Sequence, residues 1–560
     1  MLKKLNQVIF NNKNANKFRM HTKITLIEAS YNGGFINLEN DQEYHHLPFL
    51  IEKYSKLFTE LIGLNFEFFL QEGLNEGEST LQGKGNFLIT TKDYSTKVLS
   101  PLMESAVQTM QAYNESFDIV NDKLLLGFTE DTCLNLVFPD YHELSEDEQY
   151  RKLLFINDLK EISGKAYETK PVNLGILLLK DKSSLAAILE YFSFDYIPSN
   201  THKNIKELLD LEKPLLKLID NDSLILVVDE DYLVIGFLRK KENAVGIKQA
   251  IEAHYDMKNI HELNGYILSY LSKLAEKMNN GSDLTESHKL IKSLKEHLAS
   301  QDDEPIDEIG LNTLVKLWIE GLKNLPNYLK EKRNSLVEFD NLIQNFDYIY
   351  IQNRTVHWSG NFSFQLIFSN NKWNVKHFGI LTAFIFEYIY DYYEIIAQAT
   401  YKNDLIISSI EPIIKSINKV VVALRNLTSR NEGALLIILN DEYAKNIPTA
   451  LNKTGSREYK NIIQISDSGD TINIENCDSS LIELLSSVDG SIIINRNLDI
   501  LTFGEITDNH VDKNISSEHS DSYGGRTKAA IFASNYGLAI KVSEDGDIEL
   551  YENKKRILKL

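Results

Sequence analysis

Cysteine, proline and tryptophan are all scarce in this sequence. Its 560 residues include two cysteines, 10 prolines and three tryptophans. Cys133 and Cys477 stand far apart, without a CxxC motif or a Cys/His cluster. This arrangement excludes the common zinc and iron–sulfur motifs and a disulfide framework. We expect two buried thiols in a reducing compartment.

Positive charge is also in short supply. The chain has 59 Lys and Arg residues against 80 Asp and Glu residues, which gives a formal net charge of −21. Proteins that coat nucleic acid or an anionic membrane surface carry strongly basic footprints. We therefore expect no nucleic-acid partner, although a local cationic pocket remains compatible with this total.

Only residues 380–397 approach the length and apolarity of a helix that could span a membrane. They include Glu387, Asp391 and Glu394, whose spacing of four and three places them on one helical face. Burying three carboxylates in lipid costs several kcal/mol in total, so the pattern favours an amphipathic helix in a protein core. The N-terminal apolar run is too short for a secretory signal. We expect a soluble, cytoplasmic protein without a membrane partner.

The length and an apolar content of 43% predict a multi-domain α/β protein. Within it, residues 124–128 read as a strand, and residues 346–368 as a hairpin turning near residues 359–361. The predicted regions are an N-terminal α/β lobe (1–165), a second α/β lobe (166–278), a polar and helical connector (279–335), a β-hairpin with an aromatic helix (336–400), and a C-terminal domain (401–560).

The C-terminal domain contains four short segments with distinctive chemistry. Residues 433–439, GALLIIL, read as a buried strand, and Asp489-Gly490-Ser491 begins a second one. Residues 524–530, GGRTKAA, lead into a helix. Residues 538–552 predict a hairpin that turns at Asp545-Gly546.

The GGRTKAA segment has the features of a phosphate site. Its two glycines allow a ligand to approach the backbone closely, and a helix start presents free N–H groups to an anion. Arg526 and Lys528 add positive charge, and Thr527 adds a hydroxyl. A di- or triphosphate is the natural ligand. Helix starts with two basic residues also occur without a ligand, so this segment alone leaves phosphate binding open.

The order of these segments resembles the diadenylate cyclase family (the DisA_N, or DAC, domain). That family shows a GALL-type strand, an Asp-Gly-Ala motif, a Thr-Arg-His-Arg-Ala-Ala-like motif and a strand ending in Val-Ser-Glu. The matching positions here are 433–439, 489–491, 525–530 and 542–544. The resemblance covers roughly the last quarter of the chain. It implies a C-terminal mixed β-sheet flanked by helices and regulated by sensor-like α/β lobes that precede it.

The resemblance also implies an activity. Family members condense two ATP molecules into cyclic di-AMP and two pyrophosphates across a face-to-face pair of domains, in a homodimer or higher oligomer. The catalytic residues implied are Asp489, Arg526 and Lys528. The ligands implied for Mg²⁺ or Mn²⁺ are Asp489 and Glu544. The nucleotide contacts implied are Gly490, Ser491, Gly525, Thr527 and Ser543.

The sequence departs from the family pattern at two places. Val488 stands where the family commonly has a histidine before the aspartate, and Arg526-Thr527-Lys528 replaces Arg-His-Arg. Lysine supplies a point charge rather than the planar fork of arginine. The alternative is therefore a catalytically degenerate domain that binds ATP or a cyclic dinucleotide as a sensor or scaffold. A choice between adenine and guanine also remains open.

Overall fold

A computed structural model gives the fold of the chain. It describes residues 17–21, 26–30, 35–37, 47–72, 78–85, 92–116, 122–139, 141–279, 336–389, 406–452, 462–463, 472–507 and 524–560. The chain divides into two compact units: the first is Met1–Lys258 with Asn334–His377, and the second is Asn259–Arg333 with Phe378–Leu560. Both units combine helices with β-sheets, which confirms the predicted α/β class. The predicted connector lies almost wholly outside the described residues.

The first unit begins with a small sheet and four helices. The strands are β1 (Lys17–His21), β2 (Leu26–Ser30), β3 (Phe35–Asn37), β4 (Phe66–Glu72) and β5 (Glu78–Gly85). The helices are α1 (Leu47–Ile62), α2 (Lys92–Ser116), α3 (Asp122–Val137) and α4 (Glu146–Gly164). A short hairpin, β6 (Ala166–Tyr167) with β7 (Lys170–Pro171), follows.

The predicted strand at residues 124–128 is wrong, because these residues lie inside α3. A short apolar run without alternation fits a buried helix as well as a buried strand, so periodicity could not separate the two. Cys133 also lies in α3. Both Cys133 and Cys477 are buried free thiols, as predicted.

The described part of the first unit also contains an eight-stranded sheet. Its strands are β8 (Leu174–Leu179), β9 (Phe194–Pro198), β10 (Leu224–Val228), β11 (Val234–Lys240), β12 (Phe346–Gln352), β13 (Thr355–Ser359), β14 (Gln365–Ser369) and β15 (Lys372–Lys376), in the order β15-β14-β13-β12-β8-β10-β11-β9. The accompanying helices are α5 (Leu185–Phe192), α6 (Ile205–Leu211), α7 (Leu215–Leu218), α8 (Ile247–Asn279) and α9 (Val337–Ile343). The residues of α8 from Asn259 onwards belong to the second unit. Antiparallel pairing of β8 with β12 joins strands from the regions 166–278 and 336–400.

The predicted hairpin at residues 346–368 contains one strand more than expected. The chain turns first at Asn353 and Arg354, which both have positive φ, and β12 pairs with β13 across that turn. The predicted turn near residues 359–361 lies within the later connection from β13 to β14. A two-residue turn with positive φ suits the twist of a hairpin, but Asn-Arg is a weaker sequence signal than Asn-Gly.

The second unit contains the C-terminal sheet. Its described helices are α10 (Phe378–Ile389), α11 (Ile406–Arg430), α12 (Asp441–Ala444), α13 (Ser479–Ser486) and α14 (Gly525–Ala533). Its described strands are β16 (Ala434–Leu439), β17 (Ser491–Ile494), β18 (Ile500–Glu505), β19 (Gly537–Val542), β20 (Ile548–Glu552) and β21 (Lys555–Lys559). They form a mixed sheet in the order β18-β17-β16-β19-β20-β21.

Helices cover both faces of this sheet. Alternate residues of β16, Leu435 and Ile437, pack with Ala530 of α14 and Ala539 of β19 on one face. Helices α11 and α13 pack together, and α13 lies against β16, β17 and β18. Since successive side chains of a strand point to opposite faces, the wholly apolar β16 is buried on both.

Helix α10 is more buried than the sequence predicted. Every residue from Phe378 to Phe386 is buried, so the described helix has no polar face over that length. Of the three predicted acidic residues, Glu387 lies in α10, while Asp391 and Glu394 lie outside the described residues. Among the residues that the structure describes, no helix has the length and apolarity needed to cross a bilayer.

The central position of β16 gives a stability prediction. Ile437 is 0% exposed, so Ile437→Ala should destabilise the second unit by about 2–5 kcal/mol through lost packing and a residual cavity. Leu484 of α13 is 60% exposed, and Leu484→Ala is the matched control with an expected loss below about 0.5 kcal/mol. Calorimetry of the full chain should show the difference in melting temperature. Similar losses in both variants would contradict the assigned burial.

Candidate active site

Three of the C-terminal motifs meet at one edge of the second unit's sheet. Strands β16 and β17 are parallel, with Leu436 opposite Ile492, so both begin at the same edge. Strand β19 is antiparallel to β16 and ends at that edge, where Val542 pairs with Ala434. The register therefore brings the residues before β17 and the residues after β19 to the start of β16. We call this the motif edge.

The fourth motif, at the start of α14, reaches the same edge. The guanidinium of Arg526 lies against Gly433, so closely that a Cβ at position 433 would overlap it. Arg526 Nη1 also donates to Glu544 Oε1 at 3.4 Å. One arginine thus contacts both the residue before β16 and the turn after β19.

The residues before β17 form the second feature of the motif edge. We call Asp489, Gly490 and Ser491 the Asp-Gly tip. Asp489 is exposed. Gly490 has a φ of +122°, and a Cβ there would lie 2.5 Å from the backbone carbon of Gly504 and 2.7 Å from the backbone nitrogen of Glu505. The packing of the tip against β18 therefore requires glycine at position 490, independently of any contact with a nucleotide.

The glycines before α14 differ from Gly490. Gly524 and Gly525 are exposed, and apart from their chain neighbours and the backbone of α14, no described atom lies within 4 Å of a Cβ built on either residue. The chain's own packing among the described residues does not call for glycine here. The space in front of the helix start is the space that an anionic ligand of its N–H groups would occupy.

The other predicted contact residues differ in how accessible they are. Lys528 is partly exposed, like Arg526, whereas Thr527 is buried. Ser543 stabilises the hairpin turn, because its Oγ accepts from the backbone N–H of Asp547 at 3.0 Å. Ser491 is 1% exposed, and its Oγ donates to the carbonyl oxygen of Glu505 at 3.2 Å. The hydroxyls of Ser491 and Ser543 thus have structural partners.

The motif edge suits a divalent cation that arrives with a ligand. Asp489 precedes β17 and Glu544 follows β19, and these strands lie on opposite sides of β16, so the two backbones are separated by about 10 Å, two strand spacings. Among the residues that the structure describes, no group of three or more His, Cys, Asp or Glu side chains could hold a metal ion. Mg²⁺ is usually held by one or two carboxylates together with phosphate oxygens and water, and the exposed Asp489 fits that pattern.

Sequence reasoning missed one residue beside the motif edge, Glu505. It is 1% exposed and pairs with Ser491 across the sheet. Thr502 Oγ1 donates to its carboxylate at 2.6 Å. The sequence feature that could have indicated Glu505 is an acidic residue directly after Gly504, at the end of an apolar strand.

A second buried carboxylate, Glu549, lies further along the sheet in β20. It accepts hydrogen bonds from Lys541 at 2.7 Å, Tyr551 at 3.0 Å and Arg556 at 3.1 Å. Burial by itself raises the pKa of Glu549, but the bonds to Lys541 and its other partners bring the pKa below its usual value. Three strand pairings separate β20 from β17, so this network is remote from the Asp-Gly tip.

No protein-family model matches the chain, and no curated protein matches it either. The motifs, and the sheet edge to which the fold brings them, are therefore the features that bear on function.

The glycines of the motif edge give a graded stability prediction. Gly490→Ala should cost about 1–3 kcal/mol from backbone strain alone, with further loss from overlap with β18. Gly433→Ala should cost less than about 1 kcal/mol, because the partly exposed guanidinium of Arg526 can move aside. Gly525→Ala should leave the free energy of unfolding unchanged or raise it by up to about 1 kcal/mol. Urea denaturation of the three variants checks this order, and equal losses would contradict it.

Proposed function

We propose that the C-terminal domain, residues 401–560, is a diadenylate cyclase that binds ATP at the motif edge. In this proposal two ATP molecules condense into cyclic di-AMP, and two pyrophosphates leave. The observation that carries the proposal is that one edge of one sheet brings together two positions: Asp489, just before β17, and the guanidinium of Arg526, which lies against Gly433 just before β16.

The start of α14 binds the triphosphate in this scheme. The backbone N–H groups of its first turn and the positive end of the helix dipole face the side of Gly525 where the described residues leave room. Arg526 and Lys528 add charge-assisted hydrogen bonds, which are stronger than those between neutral groups. These groups also neutralise the charge that develops on the departing pyrophosphate.

Asp489 acts on the attacking group. Its carboxylate orients the 3′-hydroxyl of ATP and accepts the proton as that oxygen forms a bond to an α-phosphorus. The bond between the α-phosphorus and the bridging oxygen of pyrophosphate breaks, and the electron pair leaves with pyrophosphate. Mg²⁺ or Mn²⁺ bound with the nucleotide would lower the pKa of the hydroxyl and neutralise phosphate charge.

Ring closure requires two copies of the domain. Each copy holds one ATP, and each 3′-hydroxyl attacks the α-phosphorus held by the other copy. The active species is accordingly a dimer or a larger assembly of dimers with facing motif edges. The region before residue 401 would regulate how often these edges meet.

The role of Asp489 is tested by Asp489→Asn. The variant should retain the melting temperature of the parent protein, because Asp489 is exposed, but lose product formation by at least about 100-fold. Asp441 is a matched control: its side chain is 71% exposed, and it follows the other end of β16. Asp441→Asn should form cyclic product at the parent rate. The measurement is chromatography with mass detection after incubation with ATP and Mg²⁺ or Mn²⁺.

Three outcomes of that assay, run with ATP and with GTP, reject parts of the proposal. Full activity of Asp489→Asn would remove the residue from the mechanism. A parent protein that binds ATP without forming a cyclic product would instead support the degenerate, nucleotide-binding alternative. A cyclic product from GTP alone would reassign the base.

The phosphate site is tested by Arg526→Ala. Loss of the guanidinium should raise the ATP concentration needed for half-maximal rate and raise the barrier by about 2–4 kcal/mol. Arg556→Ala is the control, because the Arg556 side chain is 52% exposed and pairs with Glu549 in the remote network. Calorimetric titration with ATP and steady-state kinetics measure the two effects. ATP affinity unaltered by Arg526→Ala would place the phosphate site elsewhere.

A further inference from the structure

We propose that Glu505 is a positioning residue that fixes the direction of the Asp-Gly tip. The inference rests on the proposed function, since it concerns how Asp489 is presented to the attacking hydroxyl. Glu505 does not itself touch substrate in this proposal, because it is 1% exposed. It acts through the backbone of the tip.

The tip is attached to Glu505 by three contacts. Ser491 pairs with Glu505 across the β17–β18 ladder, and Ser491 Oγ donates to the Glu505 carbonyl at 3.2 Å. Gly490 packs against the backbone of Gly504 and Glu505 so closely that no Cβ fits between them. The residue that carries the proposed base is thus one peptide bond away from this contact.

The local backbone is irregular, which is why it requires support. The register of β17 against β18 shifts between Ser491 and Ile493. Gly490, just before β17, and Gly504, within β18, have φ values of +122° and +66°. Irregularities of this kind bend a strand and redirect a side chain. The direction of Asp489 consequently depends on whatever holds the end of β18 in place.

The Glu505 carboxylate supplies that support. Thr502 Oγ1 donates to Oε1 at 2.6 Å. With its amide nitrogen turned towards Glu505, Asn452 donates to Oε2 at 2.9 Å and to Oε1 at 3.1 Å. A buried carboxylate is tolerated only when it is well hydrogen-bonded, so these contacts hold the side chain in one position. They tie the end of β18 to the loop after α12.

A positioning role and a purely structural role predict different kinetics. The triphosphate is held by α14, so a misdirected Asp489 should slow the chemical step without weakening ATP binding. Removal of Glu505 should therefore lower kcat and leave KM for ATP nearly constant. General destabilisation of the sheet would not separate the two constants in this way.

The experiment compares two buried carboxylates of the same unit in the full-length protein. We expect Glu505→Ala to lower kcat by at least roughly tenfold, with KM for ATP within about threefold of the parent. Glu549→Ala is the matched control. It should lower the melting temperature to a similar extent and leave kcat within about twofold. Equal effects of both variants on kcat at equal stability would overturn the inference.

Two further variants keep the test decisive if Glu505→Ala does not fold. Asn452→Ala removes a donor but retains the carboxylate, and it should show the same kcat-specific loss to a smaller degree. Glu505→Gln should keep a kcat close to that of the parent. The oxygen of the new glutamine can still accept from Thr502, and its nitrogen can donate to the Asn452 oxygen once the Asn452 amide has turned. A parent-like kcat for Asn452→Ala, or a loss for Glu505→Gln as large as that for Glu505→Ala, would count against the inference.

A measurement without nucleotide separates this inference from the proposed function. Amide hydrogen exchange at residues 490–492 should accelerate in Asn452→Ala and Glu505→Ala, and remain at the parent rate in Glu549→Ala. If the parent protein forms no cyclic product but exchange behaves in this way, the proposed function fails and the structural support of the tip stands. If the parent is active and exchange at the tip is unaffected by either variant, the inference alone fails.

Discussion

The arrangement of the motif edge depends on the burial and pairing of one strand, β16. All six of its residues are buried, and it pairs in parallel with β17 and antiparallel with β19. Each fully buried aliphatic side chain contributes about 1.5–3 kcal/mol, so a shift of this strand would be very costly. A shift by one residue would also exchange its two faces. Because the register is fixed, the ends of its neighbours are fixed too.

Glycine serves three different purposes at this edge. Gly433 leaves room for the guanidinium of Arg526, whereas Gly490 has a positive φ and packs on the backbone of β18. Gly525 has open space before it within the described structure. The first two glycines are explained by contacts within the chain, whereas the described residues give no packing reason for the third. Two of these three glycines are therefore explained by packing within the chain and not by phosphate binding.

The sequence predicted the C-terminal strands and the hairpin at Asp545-Gly546 because their signals are local. An uninterrupted apolar run marks β16, and the turn places Gly546 at a φ of +88°. The errors arose where local signals are ambiguous or absent. Residues 124–128 form part of a helix whose apolar residues showed no period, and the β8–β12 pairing joins distant segments.

Within the candidate site, the sequence allowed us to predict which residues take part but not which residues they contact. The resemblance pointed to Asp489, Arg526 and Glu544, and the register puts them at one edge. Nothing in the sequence indicated that Ser491 bonds to Glu505 or that Glu505 is buried. Such contacts depend on which strand lies beside β17, and that is a property of the three-dimensional sheet.

The pairing of Arg526 with Glu544 has a consequence for ligand capture. The guanidinium is already restrained over Gly433 by a carboxylate whose side chain is 75% exposed. A phosphate that replaced the Glu544 carboxylate would bind an Arg526 side chain that is already ordered. Little additional rotamer freedom of Arg526 would then be lost. The displaced carboxylate would return to water at small cost, since exposed ion pairs contribute at most about 1 kcal/mol. The pair would thus hold the Arg526 side chain at the motif edge in a position that suits a polyphosphate.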